Sequence, residues 1–156
     1  METRLNYTKV APGGIHAMYT LHKYVEGSGI ERSLLELVKT RASLINGCAY
    51  CIDMHTKDAR TLGESEQRLY LLDAWREAPF YTERERAALA WTEAVTLISE
   101  SHASDEDYAS ACAQFSEQEL VNLTMAIISI NGWNRLAISF RAAPGDYEPQ
   151  RLHASE

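Results

Sequence analysis

At 156 residues, with 46% hydrophobic and 24% charged side chains, the chain has the make-up of an ordinary globular protein and the length for one domain with a sizeable core. Its formal net charge of −7 argues against nucleic acid or an anionic membrane as partner, since both call for a basic patch. The first residues carry charge without an apolar stretch and no apolar run approaches the roughly 20 residues of a membrane span, so no signal peptide or membrane segment is expected and the expected location is cytoplasmic.

Apolar residues recur at a spacing near 3.6, and no run of alternating β-branched residues lies between turns, which predicts an all-α fold of about seven helices. A first helix is expected from about Ile15 to Val25, stopped by Gly27-Ser28-Gly29. The second starts near Ile30, carries Leu34, Leu37, Val38, Arg41 and Ile45 on one face, and ends at Asn46-Gly47. A third runs from Cys48 to about Leu62, with Gly63 as its stop. Ser65 caps a fourth, whose Leu69, Leu72 and Trp75 share a face before a turn at Ala78-Pro79-Phe80-Tyr81. Thr82 with Glu85 and Ser116 with Glu119 form capping boxes for two further helices, and between them Ser104 caps a short one reaching about Phe115. The segment Leu120 to Ile130 is apolar nearly all round and is expected to be buried on most sides. Residues 1–143 read as a single domain and 144–156 as a loose polar tail.

The chain also carries an internal echo. A shift of 85 positions lays Asn46-Gly47 on Asn131-Gly132, Leu35 on Leu120 and Ile45 on Ile130, which suggests a helix-turn-helix pseudo-repeat with an Asn-Gly break in each half. Trp133 and Leu136 then take the places of Cys48 and Cys51, so the chemistry belongs to the first copy.

That chemistry centres on Cys48-Ala49-Tyr50-Cys51 and His55. In a helix the three reactive side chains step i, i+3, i+7 and keep to one face. A thiol attacks only as thiolate, and Cys48, directly after Asn-Gly, meets the unpaired N–H groups of a helix start. Cys51 lies one turn further, four residues before a candidate base in His55. The set supplies a nucleophile, a base and a resolving thiol. Cys48, nearer the helix start, is expected to be the more exposed sulfur and the point where a reductant attacks, although the spacing also allows the two cysteine roles to be exchanged.

Rival readings are weaker on spacing. Zinc at Cys48, Cys51 and His55 has three ligands and no second pair downstream. Haem attachment needs histidine directly after the second cysteine, where Ile52 stands, and a thioredoxin fold needs a preceding strand. A non-enzymatic redox sensor or a zinc-stabilised interaction module would use the same residues. Cys112 and the set Trp75, Trp91 and Trp133 read as core. His16, His22, His102 and His153 show no metal spacing and read as surface or locally bonded groups. Glu36 falls on a stripe with Thr40, Ser43 and Gly47, where pattern alone makes it a solvated carboxylate, although the stripe leads to Cys48.

The run Glu36-Leu37-Val38, Arg41, Ser43 and Asn46-Gly47-Cys48-Ala49-Tyr50-Cys51-Ile52-Asp53-Met54-His55 resembles the signature of AhpD-like alkylhydroperoxidases in the carboxymuconolactone decarboxylase superfamily. The resemblance extends through Arg4-Leu5-Asn6-Tyr7, Trp75-Arg76 and the stretch from Phe80 to Thr96. It implies an all-helical homo-oligomer, trimeric or hexameric, that reduces organic hydroperoxides and is regenerated by an external dithiol or thiol. It also implies that Cys48 and Cys51 are the redox pair and that Glu36 and His55 form the proton relay. Neither a cofactor nor a metal is expected. Tyr50 stands where the founding AhpD proteins have histidine; it is a candidate relay contributor, though a poor base near neutral pH. The superfamily's decarboxylases, which lack the cysteine pair, are the alternative within the family.

Overall fold

The computed structural model describes residues 2–149. Within them the chain forms α1 (Tyr7–Val10), α2 (Pro12–Glu26), α3 (Arg32–Asn46), α4 (Ala49–Thr61), α5 (Glu66–Tyr70), a 3₁₀ turn (Leu72–Ala74), α6 (Glu83–Thr96), α7 (Ile98–Ser101), α8 (Asp105–Cys112) and α9 (Glu117–Phe140). No strand occurs among the described residues, and no helix among them is long and apolar enough to cross a membrane. The seven expected helices are all present; α1 and α7, the additional two, are single turns of four residues each. Both capping boxes form, with the Thr82 and Ser116 hydroxyls accepting from the N–H groups of Glu85 and Glu119, whose carboxylates accept in return. The fourth helix is shorter than its apolar spacing predicts. It ends at Tyr70 and continues as the tighter 3₁₀ turn, which still delivers Leu72 and Trp75 to the interior.

The central element is α3, which packs against α4, α6 and α9. Every residue from Leu34 to Thr40 is buried, so two turns of this helix are covered all round. Leu34, Leu35 and Val38 join α6, α8 and α9 in one cluster, Leu37 meets Leu72, Trp75 and Leu89 in a second, and Ala42 meets both cysteines, Ile130 and Ala137 in a third. A helix wrapped in this way buries its polar stripe with its apolar one, which decides the fate of Glu36.

At the end of α3, Gly47 adopts the left-handed conformation (φ 67°), and the Cys48 N–H donates to the Ser43 carbonyl at 2.9 Å. This turn starts α4 at once, with Cys48 as its cap. The second Asn-Gly behaves differently, so the predicted break there is wrong: α9 runs unbroken through Asn131-Gly132. Gly132 serves close packing instead, because a Cβ there would lie 2.7 Å from the terminal carbon of Met18 on α2. The asparagines of the echo meet directly. Asn46 donates to the side-chain oxygens of Asn131 (3.0 Å) and Asn134 (2.8 Å), tying the end of α3 to α9.

The apolar run of α9 is buried on most sides as expected, with Val121 and Ile128, seven residues apart on one side, 56% and 48% exposed. Two further expectations change. Cys112 is exposed near the end of α8 rather than packed in the core. The chain after Pro144 is not loose throughout: Gly145 donates to Asp53, and Lys57 donates to the carbonyls of Gly145 and Tyr147, strapping it to α4. Residues 150–156, with His153, lie outside the described part.

Candidate active site

The Gly47 turn aims the first turn of α4 inward, where Cys48 and Cys51 are joined as a disulfide with their Cα atoms 5.3 Å apart. The Cys51 N–H also donates to the Cys48 sulfur at 3.3 Å, within the longer range that sulfur acceptors allow. Both cysteines are almost fully buried, at 1% and 2% exposure. The expectation that Cys48 is the more accessible sulfur is therefore wrong. Both sulfurs pack in the cluster with Ala42, Ile130 and Ala137, but of the two only Cys51, one turn in from the capping Cys48, borders a cavity of about 550 Å³.

His55, one further turn along, borders the same cavity and is buried. Its Nδ1 lies 2.8 Å from Glu36 Oε2, and Lys39 donates to Glu36 Oε1 at 2.9 Å. Glu36 is thus a buried carboxylate with both oxygens occupied, not the solvated group its helical stripe suggested. Burial alone would raise its pKa. The hydrogen bond from His55 and the charges of His55 and Lys39 outweigh that and hold it at about 2. Because Glu36 is ionised and can only accept, Nδ1 of His55 carries a proton, and in the neutral imidazole Nε2 keeps a lone pair that can take one.

Sequence reading missed four neighbours. Lys39 is buried and ion-paired to both Glu36 and Glu26; burial pulls its pKa down, but the two carboxylates prevail and raise it. Asp58, one turn after His55, borders the cavity, and its pKa is raised chiefly by burial. Tyr147 donates to Asp58 at 2.8 Å from the strapped C-terminal segment, and its own pKa is pushed up by burial and by that carboxylate. His22 also borders the cavity, where burial and then Lys39 lower its pKa. The i, i+3 spacings of Lys39 from Glu36 and of Asp58 from His55 were legible signals; nothing local marked Tyr147.

Glu36, His55 and Asp58 bring donor atoms within 4.8 Å of one another, a spacing a cation could bridge. The Lys39 ammonium already supplies the positive charge at Glu36, so the donor set does not fit a metal. Tyr50 borders the cavity and makes no side-chain hydrogen bond among the described residues. Trp75 and Trp91 are core as expected, but Trp133 is half-buried and borders the cavity.

Comparisons with known proteins give the family and the fold. The family model described as carboxymuconolactone decarboxylase matches residues 14–94, just over half of the chain. The uncharacterized protein YdfG of Bacillus subtilis is 45% identical over 139 residues, spanning 89% of this chain and 95% of YdfG. A crystal structure of an Agrobacterium tumefaciens protein of unknown function, provisionally assigned to antioxidant defence as AhpD, is 47% identical with a TM-score of 0.91, covering 94% of this chain and all of that one. The debrominase Bmp8 is similar in fold alone, at 21% identity and a TM-score of 0.79 over 89% of this chain and 75% of its own. The chain belongs to the carboxymuconolactone decarboxylase family, and within it is AhpD-like.

Proposed function

We propose that the protein is a dithiol peroxidase that reduces organic hydroperoxides and is regenerated by an external dithiol. The observation that carries this reading is the buried Glu36–His55 pair, set in the same cavity as one sulfur of a cysteine pair that closes on itself. Fold does not choose the reaction, since a debrominase has the same architecture, so the argument rests on the site.

The reaction starts from the reduced pair. His55 Nε2 takes the proton of Cys51, and the thiolate attacks the terminal oxygen of ROOH. The O–O bond breaks, Cys51 becomes a sulfenic acid, and the departing RO⁻ recovers the proton from His55 as ROH. The Cys48 thiol then displaces water from the sulfenic acid to give the disulfide. A dithiol of the medium reduces that bond and leaves as its own disulfide. Because only Cys51 borders the cavity, the incoming thiol also attacks Cys51 and releases Cys48 first. Glu36 stabilises the imidazolium between proton transfers.

Mass spectrometry of alkylated protein tests this directly. After one equivalent of organic hydroperoxide, Cys48 and Cys51 are expected to be linked and Cys112 alkylated. In Cys48→Ser a sulfenic acid trapped by dimedone is expected at Cys51. A link through Cys112, or a sulfenic acid formed only at Cys48 in the Cys51→Ser protein, would remove the assignment. We also propose a homo-oligomer, supported by the exposed Val121 and Ile128 of α9. Light scattering that finds a monomer at micromolar concentration would contradict it.

A further inference from the structure

The cavity beside Cys51 is lined by two kinds of chemistry. Glu36 and Lys39 from α3, with His55 and Asp58 from α4, supply ionisable groups. Tyr7, Tyr19, Tyr50 and Trp133, from four different helices, supply rings. Tyr19 and Trp133 form a tilted pair with centroids 5.1 Å apart, and Tyr19 is still 51% exposed. Tyr50 and Trp133 pack against the cluster that contains both cysteines and line the same cavity as Cys51. Tyr50, with no side-chain hydrogen bond among the described residues, contributes a ring surface here rather than a proton path.

Size points the same way. Hydrogen peroxide occupies little more than a water, about 30 Å³. A cavity of about 550 Å³ is in the range that takes drug-sized ligands. Aromatic walls favour aromatic guests beyond the effect of buried area, through edge-to-face and offset contacts.

We propose that the substrate is an arylalkyl hydroperoxide, its ring seated against Tyr50 and Trp133 and its O–O bond at Cys51. This rests on the dithiol peroxidase reading and specifies the substrate class of that site. The reaction is the one balanced above, with R an arylalkyl group: ROOH gives ROH, the cysteine pair is oxidised, and the external dithiol restores it.

Cumene hydroperoxide and tert-butyl hydroperoxide differ only by phenyl for methyl on one carbon, so their ratio of kcat/KM isolates the ring. With dithiothreitol as reductant, and after correction for their relative rates with free cysteine, the ratio is expected to be roughly tenfold or more. Trp133→Leu and Tyr50→Leu keep apolar bulk and remove a ring; each is expected to lower the ratio by about threefold to tenfold. A ratio is unaffected by partial loss of folded protein. Saturation-transfer NMR on the Cys51→Ser protein reads binding without chemistry, and 2-phenyl-2-propanol is expected to bind where tert-butanol does not. Turnover of both hydroperoxides at a corrected ratio near one, unchanged in both variants, would overturn the aromatic proposal and leave the peroxidase reading standing. Saturable binding of 2-phenyl-2-propanol with no turnover of either hydroperoxide would support an aromatic ligand and overturn the peroxidase reading, and with it a hydroperoxide as the ligand.

Discussion

Replacing His55 by alanine or Glu36 by glutamine is expected to slow hydroperoxide-driven disulfide formation at neutral pH by about 10²- to 10⁴-fold. The alanine variant removes the base. The glutamine variant acts through the tautomer of His55. Lys39 needs an acceptor, and the one oxygen of glutamine serves it, so the amide NH₂ turns to His55 Nδ1. Nδ1 must then accept, Nε2 carries the proton, and the ring can no longer take one from Cys51. Both defects are expected to shrink at high pH, where hydroxide ionises the thiol without help. The double variant is expected to cost less than the product of the single effects, because the two groups act as a unit. Stopped-flow rates across pH check this. Wild-type rates in Glu36→Gln at every pH would reduce Glu36 to a structural ion-pair partner.

Lys39→Met is expected to destabilise the protein by about 3 kcal/mol at pH 7, because removing one member of a buried ion pair leaves an uncompensated charge inside. Glu26, with 28% of its side chain exposed, recovers part of its solvation; Glu36 does not. The effect depends on pH with a definite sign. Glu36 in the folded protein titrates at about 2, below its ordinary value of 4.5, so its contribution to stability is present above 4.5 and disappears as pH falls through about 2. Without Lys39 the folded value moves up, and the acid transition of the variant is expected at higher pH than that of the wild type. Urea unfolding at pH 7 and an acid titration followed by circular dichroism measure both. Equal stability at pH 7 and coincident acid transitions would contradict the account.

Much of the fold was legible because its signals are local. The capping boxes at Thr82 and Ser116, the stop at Asn46-Gly47 and the apolar spacing of α3 depend on residues within a turn of one another, and each forms as read. What failed depended on the neighbours of an element. Asn-Gly ends α3 but not α9, where Gly132 lies within the helix and against Met18. Cys112 has the look of a core residue, yet it is exposed near the end of α8. The redox motif declared its residues by spacing, whereas the burial of Glu36 came from the position of α3 at the centre of the molecule, which no helical wheel contains. The resemblance placed Glu36 beside the thiols; in the structure it is hydrogen-bonded to His55. Tyr147 was hidden for a similar reason: its part in the site depends on a strap to Asp53 and Lys57, some 90 residues earlier.

Steady-state consumption of cumene hydroperoxide with dithiothreitol in excess tests the central claim most directly. The account predicts many equivalents of peroxide reduced per protein chain, the same turnover in Cys112→Ser, and a fall to the uncatalysed background in Cys51→Ser. Consumption that stops after one equivalent with the dithiol still present, or turnover that survives in Cys51→Ser, would contradict it.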